Sequence, residues 1–269
     1  MNKLPVWTFW QNFNNNIIPP YIDLCIDTMR KFCQNDKFEL HIVNYENLEQ
    51  YLPNIRKDIF KIEYTFDNPP SGVSKEKLKT RKIGIIADYI RLCLLKEYGG
   101  IWTDADNIIL KELTEISDHL ITKDFVASTR FWKHFSISNG FIASVPNGLI
   151  IAEWLELVNK KLDDMKEKNN YNIFSYGIFG ENMIGKIISN NIDKCYIYMD
   201  DKILPIKCKQ RGIFFKEKYN YDKLITNKNP ICCTIWNAAV PDYVSKLTKK
   251  ELMNKNILLS EIFRKVLND

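Results

Sequence analysis

Three aspartates and one arginine lie within 19 residues of one another in the middle of the chain. Asp104 and Asp106 are separated by one alanine, and in an extended segment two such side chains point to the same face, about 7 Å apart at Cα. Paired carboxylates of this kind bind one hard divalent cation, directly or through water. Such a cation neutralises a departing diphosphate. The sequence therefore predicts a metal site for diphosphate chemistry at these two residues.

Asp88 and Arg91 form a second pair upstream. They are three residues apart on a predicted helix, so they are neighbours on its surface. Two interpretations stay open. The pair is either an intrahelical ion pair, or it lies at the rim of an active site. At a rim, Arg91 would contact phosphate or sugar hydroxyls and Asp88 would accept hydrogen bonds from sugar hydroxyls.

The apolar pattern predicts the elements that must position these side chains. Apolar residues over 4–10 indicate a first strand, a helical pattern follows over 20–34, and residues 38–43 alternate as a second strand. This β-α-β beginning favours a parallel sheet covered by helices. Short helical pieces over 45–62 and a loop over 68–72 come next.

The segment around the two aspartates is predicted as a helix followed by a strand. Ser74 can cap a helix over 75–98, which Gly99 and Gly100 end. Residues 101–110 are apolar on both sides of the aspartates and are typical of a strand interrupted by a turn. At the end of a parallel strand, the aspartates would lie where α/β sheets bind ligands.

The rest of the chain continues this alternation. Further strands are predicted over 125–128, 136–143, 195–199 and 231–236. Further helices are predicted over 148–165, 180–190 and 258–267, with a polar break over 166–172.

The composition excludes several classes of protein. With 269 residues, 45% hydrophobic and 26% charged, the chain is neither disordered, nor collagen, nor a coiled coil. Its seven cysteines are odd in number, lack a CxxC pair and mostly lie in apolar runs, which predicts buried thiols in a reducing compartment. No apolar run approaches the roughly 18 residues that a membrane helix needs. We therefore expect a cytoplasmic protein.

The net charge of +5 comes from the end of the chain. Residues 201–269 contain 14 Lys and Arg against 7 Asp and Glu, whereas the first 200 residues contain 24 against 26. This asymmetry favours an acidic substrate or a membrane surface over nucleic acid. The cluster over 202–218 either holds an acceptor phosphate or is solvated. For the C-terminal helix we prefer docking by its apolar face to lying on a membrane.

A longer pattern contains both pairs. The string A-D-x-x-R-x-x-x-L-x-x-x-G-G-x-W-x-D-x-D, from Ala87 to Asp106, resembles the signature of glycosyltransferase family thirty-two. That group of DXD-containing sugar transferases includes capsular polysaccharide synthesis proteins and, more distantly, the catalytic domains of large clostridial glucosylating toxins. The resemblance implies a GT-A-type α/β fold with a mixed, mainly parallel sheet flanked by helices. It implies one domain over 1–269, with a nucleotide-sugar-binding half over 1–112 and an acceptor-binding half over 113–269.

The resemblance also implies an activity. Members move a hexose from a nucleoside-diphosphate sugar, here expected to be UDP-linked, to a hydroxyl of a polysaccharide, glycolipid or lipid-linked oligosaccharide, and they retain the anomeric configuration. Mn²⁺ or Mg²⁺ held by Asp104 and Asp106 would stabilise the leaving diphosphate, while Asp88 and Arg91 orient the sugar. A lipid-linked acceptor would be compatible with a peripheral contact of the protein with the inner face of the membrane.

Weaker matches place further residues by the same resemblance. Trp10, after the first strand, would stack on the nucleotide base, with Trp7 as the alternative. Asn139, in Ser-Asn-Gly-Phe-Ile-Ala, would lie beside the donor sugar. Thr234 and Trp236 resemble an S-x-W element that closes over the metal and diphosphate. Thr234, or else Asn237, would be the third metal ligand.

Two other functions are compatible with the motif. Phosphatases of the haloacid-dehalogenase type use D-x-D as nucleophile and acid, and Asp200-Asp201 could supply their later acidic pair. They normally carry the motif on their first strand, with threonine or valine where Ile108 stands. A non-catalytic carbohydrate-binding module is the third alternative, which leaves the metal-binding pattern unexplained.

Overall fold

A computed structural model describes residues 3–12, 18–65, 75–131, 136–175, 177–198 and 200–268. The predicted loop over 68–72 and the proposed cap Ser74 lie outside the described residues. In the described part, the strands are β1 (Leu4–Phe9), β2 (Phe38–Val43), β3 (Glu63–Tyr64), β4 (Gly100–Thr103), β5 (Asn107–Ile109), β6 (Phe125–Phe131), β7 (Ser136–Ser144), β8 (Asn172–Ile173), β9 (Cys195–Tyr198) and β10 (Cys232–Thr234).

Helices separate most of the strands. The α-helices of the described residues are α1 (Pro20–Cys33), α2 (Leu48–Tyr51), α3 (Lys75–Tyr98), α4 (Thr114–Leu120), α5 (Leu149–Glu167), α6 (Glu181–Asn190), α7 (Tyr221–Leu224), α8 (Asp242–Ser245), α9 (Lys249–Asn254) and α10 (Leu258–Asn268). Short 3₁₀ helices include Lys57–Lys61 and Cys208–Phe215. The predicted longer helices and strands are confirmed, most within two residues at each end.

The main sheet has six strands in the order β2-β1-β4-β7-β6-β9. Of these, β7 alone runs antiparallel to its neighbours. The predicted mixed, mainly parallel α/β sheet is therefore confirmed. Two small ladders, antiparallel β5 with β10 and parallel β3 with β8, complete the pairing. The sequence did not predict β3 and β8, since two-residue strands carry no periodicity.

Both faces of the sheet are covered. Along β1 the side chains alternate, so Val6 packs into one hydrophobic core and Trp7 into the other. Residues of α1 and α10 fill the Val6 core, and residues of α3, α5 and α6 fill the Trp7 core. Because β4 and β7 are neighbours, the sheet joins strands from the two predicted halves of the chain.

The C-terminal helix docks by its apolar face. Leu258, Leu259, Ile262 and Phe263 are fully buried, and the Lys31 ammonium donates to the Val266 carbonyl at 2.8 Å. The preferred interpretation of this helix is therefore confirmed, because its apolar face is already used in the core. Among the described residues, every helix is too short or too polar to cross a bilayer.

The cysteines behave as the sequence predicts. All seven are free thiols, and five are buried: Cys25, Cys33, Cys195, Cys232 and Cys233. Burial raises the pKa of Cys33 to about 12 and that of Cys195 to about 11. These thiols stay protonated near neutral pH and serve as small apolar core residues.

Two glycines connect α3 to β4. Gly99 and Gly100 have φ angles of +65° and +97°, a region that side chains disfavour. A Cβ at Gly100 would lie 2.2 Å from the Pro5 carbonyl oxygen of β1. The absence of a side chain therefore lets the chain reverse and lets β4 lie against β1, which places the residues after β4.

Substitution of Gly100 by alanine tests this constraint. We expect Gly100→Ala to lower the free energy of unfolding by about 2 kcal/mol or more, from backbone strain and the clash with β1. Urea denaturation followed by circular dichroism measures the change. Gly212→Ala is the matched control, because a Cβ there meets nothing within 4 Å. Equal stabilities of the two variants would contradict the role of Gly100.

Candidate active site

Asp104 and Asp106 lie in a turn between β4 and β5. The backbone N–H of Asn107 donates to the Asp104 carbonyl at 3.0 Å, and this hydrogen bond closes the turn. The expected position at the end of a parallel strand is confirmed, because β4 runs parallel to β1. The predicted extended geometry is wrong, because the segment forms a turn, but both aspartates line one cleft. The chain must turn here, since β5 leaves the main sheet to pair with β10.

One oxygen of Asp104 is held by the protein. Its Oδ1 accepts hydrogen bonds from Arg91 Nη2 and from Trp102 Nε1, both at 2.8 Å. Its Oδ2 faces Gly140, where a Cβ would approach to 2.7 Å. The side chain is 38% exposed, so the carboxylate is oriented by its neighbours and still reaches solvent.

Arg91 and Asp88 are buried beneath this carboxylate. Arg91 is 3% exposed and Asp88 is 7% exposed. Arg91 Nη1 lies 3.1 Å from Asp88 Oδ1 as an ion pair, and the guanidinium carbon lies 4.8 Å from the centre of the Trp102 ring. The intrahelical ion pair is thus confirmed, and the pair is buried; its contacts with phosphate or sugar hydroxyls stay a prediction. A guanidinium taken out of water needs protein carboxylates around it, and here it has two.

Asn139 connects Asp88 to the open part of the site. Its Nδ2 donates to Asp88 Oδ1 at 2.8 Å. Gly180, before α6, packs tightly on this pair, because a Cβ there would lie 2.6 Å from the Asn139 amide nitrogen and 2.9 Å from Asp88 Oδ2. The sequence predicted Asn139 for the site and missed Gly180, which lies 41 residues further along the chain.

Asp106 is bonded to the loop that follows β10. Its Oδ2 accepts from the Asn237 backbone N–H at 2.7 Å, and its carbonyl accepts from the Ile235 N–H at 3.0 Å. Burial, followed by repulsion from Asp104, raises the pKa of Asp106 to about 6, against the opposing effect of the Asn237 N–H. Two carboxylates that disfavour each other's charge are a suitable place for a cation.

Asn107 connects three parts of the site, and the sequence did not single it out. This fully buried side chain donates from Nδ2 to the Gly140 carbonyl at 2.8 Å and to Thr103 Oγ1 at 3.0 Å. Its Oδ1 accepts from the Thr234 hydroxyl at 2.6 Å. Because the Thr234 proton is used there, the lone pairs of its oxygen are left for a cation. Because Asn107 bonds to segments that are distant in the chain, no local pattern in the sequence marks it.

A cleft of about 470 Å³ opens beside these residues. Six predicted site residues line it: Asp104, Asp106, Asn139, Thr234, Trp236 and the alternative ligand Asn237. Arg81 and Arg211 add two guanidinium groups to its wall. Trp236 has a φ of +59°, which is unusual for a bulky residue and marks a conformation that the surroundings impose.

The two N-terminal tryptophans differ in position. Trp10 follows β1, at the same end of the parallel strands as Asp104, and is half-buried. Its Nε1 donates to Asn12 Oδ1 at 2.7 Å. Trp10 is not among the residues that line the cleft. Trp7 is 2% exposed and stacks on His41 with 4.4 Å between ring centres. Trp7 is a core residue, so the alternative that placed it on a base is wrong.

Asn237 is held by Tyr21 of α1. The Tyr21 hydroxyl donates to Asn237 Oδ1 at 2.5 Å. Burial, and then the charge of Asp106, raise the pKa of Tyr21 well above its ordinary value, so the hydroxyl keeps its proton. Because the amide oxygen of Asn237 is occupied, Thr234 is the better candidate for a third metal ligand. No pattern in the sequence marks Tyr21.

Asp201, one of the two acidic residues that the phosphatase alternative needs, lies away from the cleft lining. Asp201 is 53% exposed and pairs with Lys228 at 3.2 Å and Lys207 at 3.4 Å, outside the residues that line the cleft. Among the described residues, no group of three or more His, Cys, Asp or Glu could hold a metal.

Residues 1–251 match the family model described as capsular polysaccharide synthesis protein. The chain belongs to this family. The match confirms the predicted resemblance to capsular polysaccharide synthesis proteins, which was based on the string from Ala87 to Asp106. A curated relative, the O-glycosyltransferase braB of Annulohypoxylon truncatum, is 26% identical over 172 residues, which are 59% of this chain and 37% of that relative. The chain thus spans little more than a third of the relative's length.

Solved structures of glycosyltransferases are also similar. The galactosyltransferase LgtC, in complex with donor and acceptor sugar analogs, is 11% identical with a TM-score of 0.47 and covers 98% of this chain and 95% of its own. GlyE of Streptococcus pneumoniae is 16% identical with a TM-score of 0.45, covering 99% and 64%. The PaToxG glycosyltransferase is 18% identical with a TM-score of 0.43, covering 71% and 70%. Likenesses this low assign no residue roles to the family member described here.

The raised pKa of Asp106 predicts a pH dependence of stability. Since the folded-state pKa of about 6 lies above the ordinary value of 3.8, ionisation of Asp106 disfavours the folded state. This cost is absent below pH 4 and complete above about pH 7. Asp106→Asn, which imitates the protonated form, should therefore exceed the wild type in free energy of unfolding at pH 7.5 in EDTA, and the difference should shrink towards pH 4.5.

Urea denaturation at the two pH values measures this difference. Asp36→Asn, at an exposed aspartate, serves as the matched control and should show no such dependence. A variant at Asp106 that is less stable than the wild type at both pH values would contradict the account of a partly buried carboxylate with a raised pKa.

Proposed function

We propose that this family member is a metal-dependent, retaining glycosyltransferase of the GT-A type. It transfers a hexose from a nucleoside-diphosphate sugar, UDP-linked, to a hydroxyl of a polysaccharide or glycolipid in capsule or surface glycan synthesis. The observation that carries the proposal is the shared cleft, in which the two aspartates after β4 meet Asn139, Thr234 and Trp236. Membership of the capsular polysaccharide synthesis family supports this use of the cleft.

The donor set of the cleft fits a hard divalent cation. Asp104 and Asp106 provide carboxylate oxygens, and the raised pKa of Asp106 reflects its burial and then the repulsion from Asp104, which a cation would remove. Asp104, Asp106 and Thr234 would hold Mn²⁺ or Mg²⁺. When bound, the cation supplies electrostatic stabilisation of the departing diphosphate.

The protein's own residues orient the donor and exclude water. Asn139, fixed by Asp88, faces the donor sugar, and Arg91 acts from below by holding Asp104 in place. Trp236 covers the cleft, so transfer to the acceptor outcompetes hydrolysis. Trp10 would stack on the base, because it ends the strand beside β4 at the same sheet edge.

Acceptor recognition belongs to the second half of the chain in this proposal. Arg211 lines the cleft from the 3₁₀ helix Cys208–Phe215, and the other basic residues of 202–218 flank it in the sequence. Retention of the anomeric configuration rests on the resemblance to family thirty-two. A cytoplasmic location with peripheral contact at the inner face of the membrane would suit a lipid-linked acceptor.

A binding screen tests the donor class. Thermal shift with nucleoside diphosphates and their sugars, with and without Mn²⁺, should raise the melting temperature by several degrees when both components are present, and by less with either component alone. Equal stabilisation by nucleotides with and without metal, or stabilisation by none of the pairs, would contradict the proposal.

Catalysis is tested on the donor that the screen identifies. Asp106→Asn and Asp104→Asn should each lower Mn²⁺-dependent release of sugar from that donor by about a hundredfold or more, because the leaving diphosphate loses its counter-charge. Asp36→Asn should keep wild-type turnover. Hydrolysis of a generic aryl phosphate by the wild type, lost in the same variants, would instead favour the phosphatase.

A further inference from the structure

The loop after β10 is attached to the D-x-D turn at three points. The Thr234 hydroxyl donates to Asn107, and the backbone N–H groups of Ile235 and Asn237 donate to the Asp106 carbonyl and carboxylate. The last contact, at 2.7 Å, fixes the Asn237 backbone directly beside a proposed metal ligand. The position of the Asn237 side chain is therefore set by the same residue that would bind the cation.

Tyr21 fixes which side of the Asn237 amide faces the cleft. Tyr21 belongs to α1 and is 5% exposed, and its hydroxyl donates to Asn237 Oδ1 at 2.5 Å. An amide oxygen engaged in this way turns the nitrogen to the opposite side. Asn237 also lines the cleft. The group left to meet a ligand is thus Nδ2, which carries two hydrogen-bond donors and has no affinity for a cation.

No protein acceptor takes these two donors in the part of the chain that the structure describes, and the Nδ2 atom is not among its buried polar atoms without partners. The Nδ2 group is therefore accessible, and because Asn237 lines the cleft, we take this group to be open to a ligand there. A neutral N–H donor beside a bound divalent cation is suited to the anionic oxygens that the cation attracts.

We propose that Asn237 donates a hydrogen bond from Nδ2 to a phosphate oxygen of a bound nucleoside diphosphate, and that Tyr21 is the positioning residue that orients this amide. The inference rests on the proposed function and assigns part of its donor site. It excludes Asn237 as a metal ligand, because its oxygen is held by Tyr21. A hydrogen bond to the diphosphate contributes to binding of the nucleotide sugar and of the nucleoside diphosphate product alike.

Two titrations separate the diphosphate from the metal. Calorimetry first measures Mn²⁺ alone, and then UDP at saturating Mn²⁺. Asn237→Ala should weaken UDP binding about tenfold or more, the effect of losing a hydrogen bond to a charged group, and should leave Mn²⁺ affinity within twofold. Asn237→Asp should weaken UDP binding further, since a carboxylate cannot donate and repels phosphate.

Tyr21→Phe tests the positioning role, because it removes one hydroxyl and keeps the ring. It should weaken UDP binding about threefold to tenfold in the wild-type background and should add nothing to Asn237→Ala, since both changes act through one amide. Tyr98→Phe is the matched control. The Tyr98 hydroxyl also donates at 2.7 Å, to the Tyr51 carbonyl, outside the residues that line the cleft, and its loss should leave UDP binding unchanged.

The outcomes are distinct. Equal UDP affinity in the wild type and Asn237→Ala overturns this inference and leaves the proposed function intact. Loss of Mn²⁺ affinity in Asn237→Ala shows that the amide oxygen is a metal ligand, which also overturns it. Additive effects of the changes at Tyr21 and Asn237 remove the positioning role. A folded wild type that binds no nucleoside diphosphate with Mn²⁺ overturns both the inference and the function on which it rests.

Discussion

The Arg91 guanidinium lies almost wholly out of water, between Asp88 on its own helix and Asp104 at the end of β4. A buried guanidinium is tolerated only with compensating charge, and removal of one partner from such a pair costs about 3–5 kcal/mol. The contact therefore sets α3 against β4 and leaves one oxygen of Asp104 towards the cleft. Trp102 reinforces this orientation by donating to the same carboxylate oxygen that Arg91 holds.

The rest of the site is connected to this centre by neutral hydrogen bonds. Asn107 joins the turn to β7 and β10, and Asp106 holds the loop that carries Trp236. Segments that are more than a hundred residues apart in the chain thus meet in one network of buried polar groups. Because such a network already holds its side chains in place, the protein loses little conformational entropy when a ligand binds. This suits a site that must place a sugar, a diphosphate and an acceptor together.

The sequence predicted what depends on local pattern. The helix over 75–98, the stop at Gly99 and the strand before Asp104 follow from periodicity and from the conformational freedom of glycine. The resemblance supplied Asn139, Thr234 and Trp236, which the structure places around one cleft. It could not supply the burial of Arg91, because spacing alone does not distinguish a surface pair from a buried one.

Contacts between distant segments account for the other differences. Asn107 and Tyr21 form hydrogen bonds to residues that lie 33 and 216 positions away in the chain. Gly180 acts through close packing against Asn139 and Asp88. No local sequence pattern marks such contacts. The central claim is that Asp104 and Asp106 hold a divalent cation in this cleft. Crystals grown with MnCl₂ and UDP, measured at the manganese absorption edge, test it directly. The account predicts one strong anomalous peak between the two carboxylates, next to the diphosphate; a peak elsewhere, or UDP bound with no peak there, would contradict it.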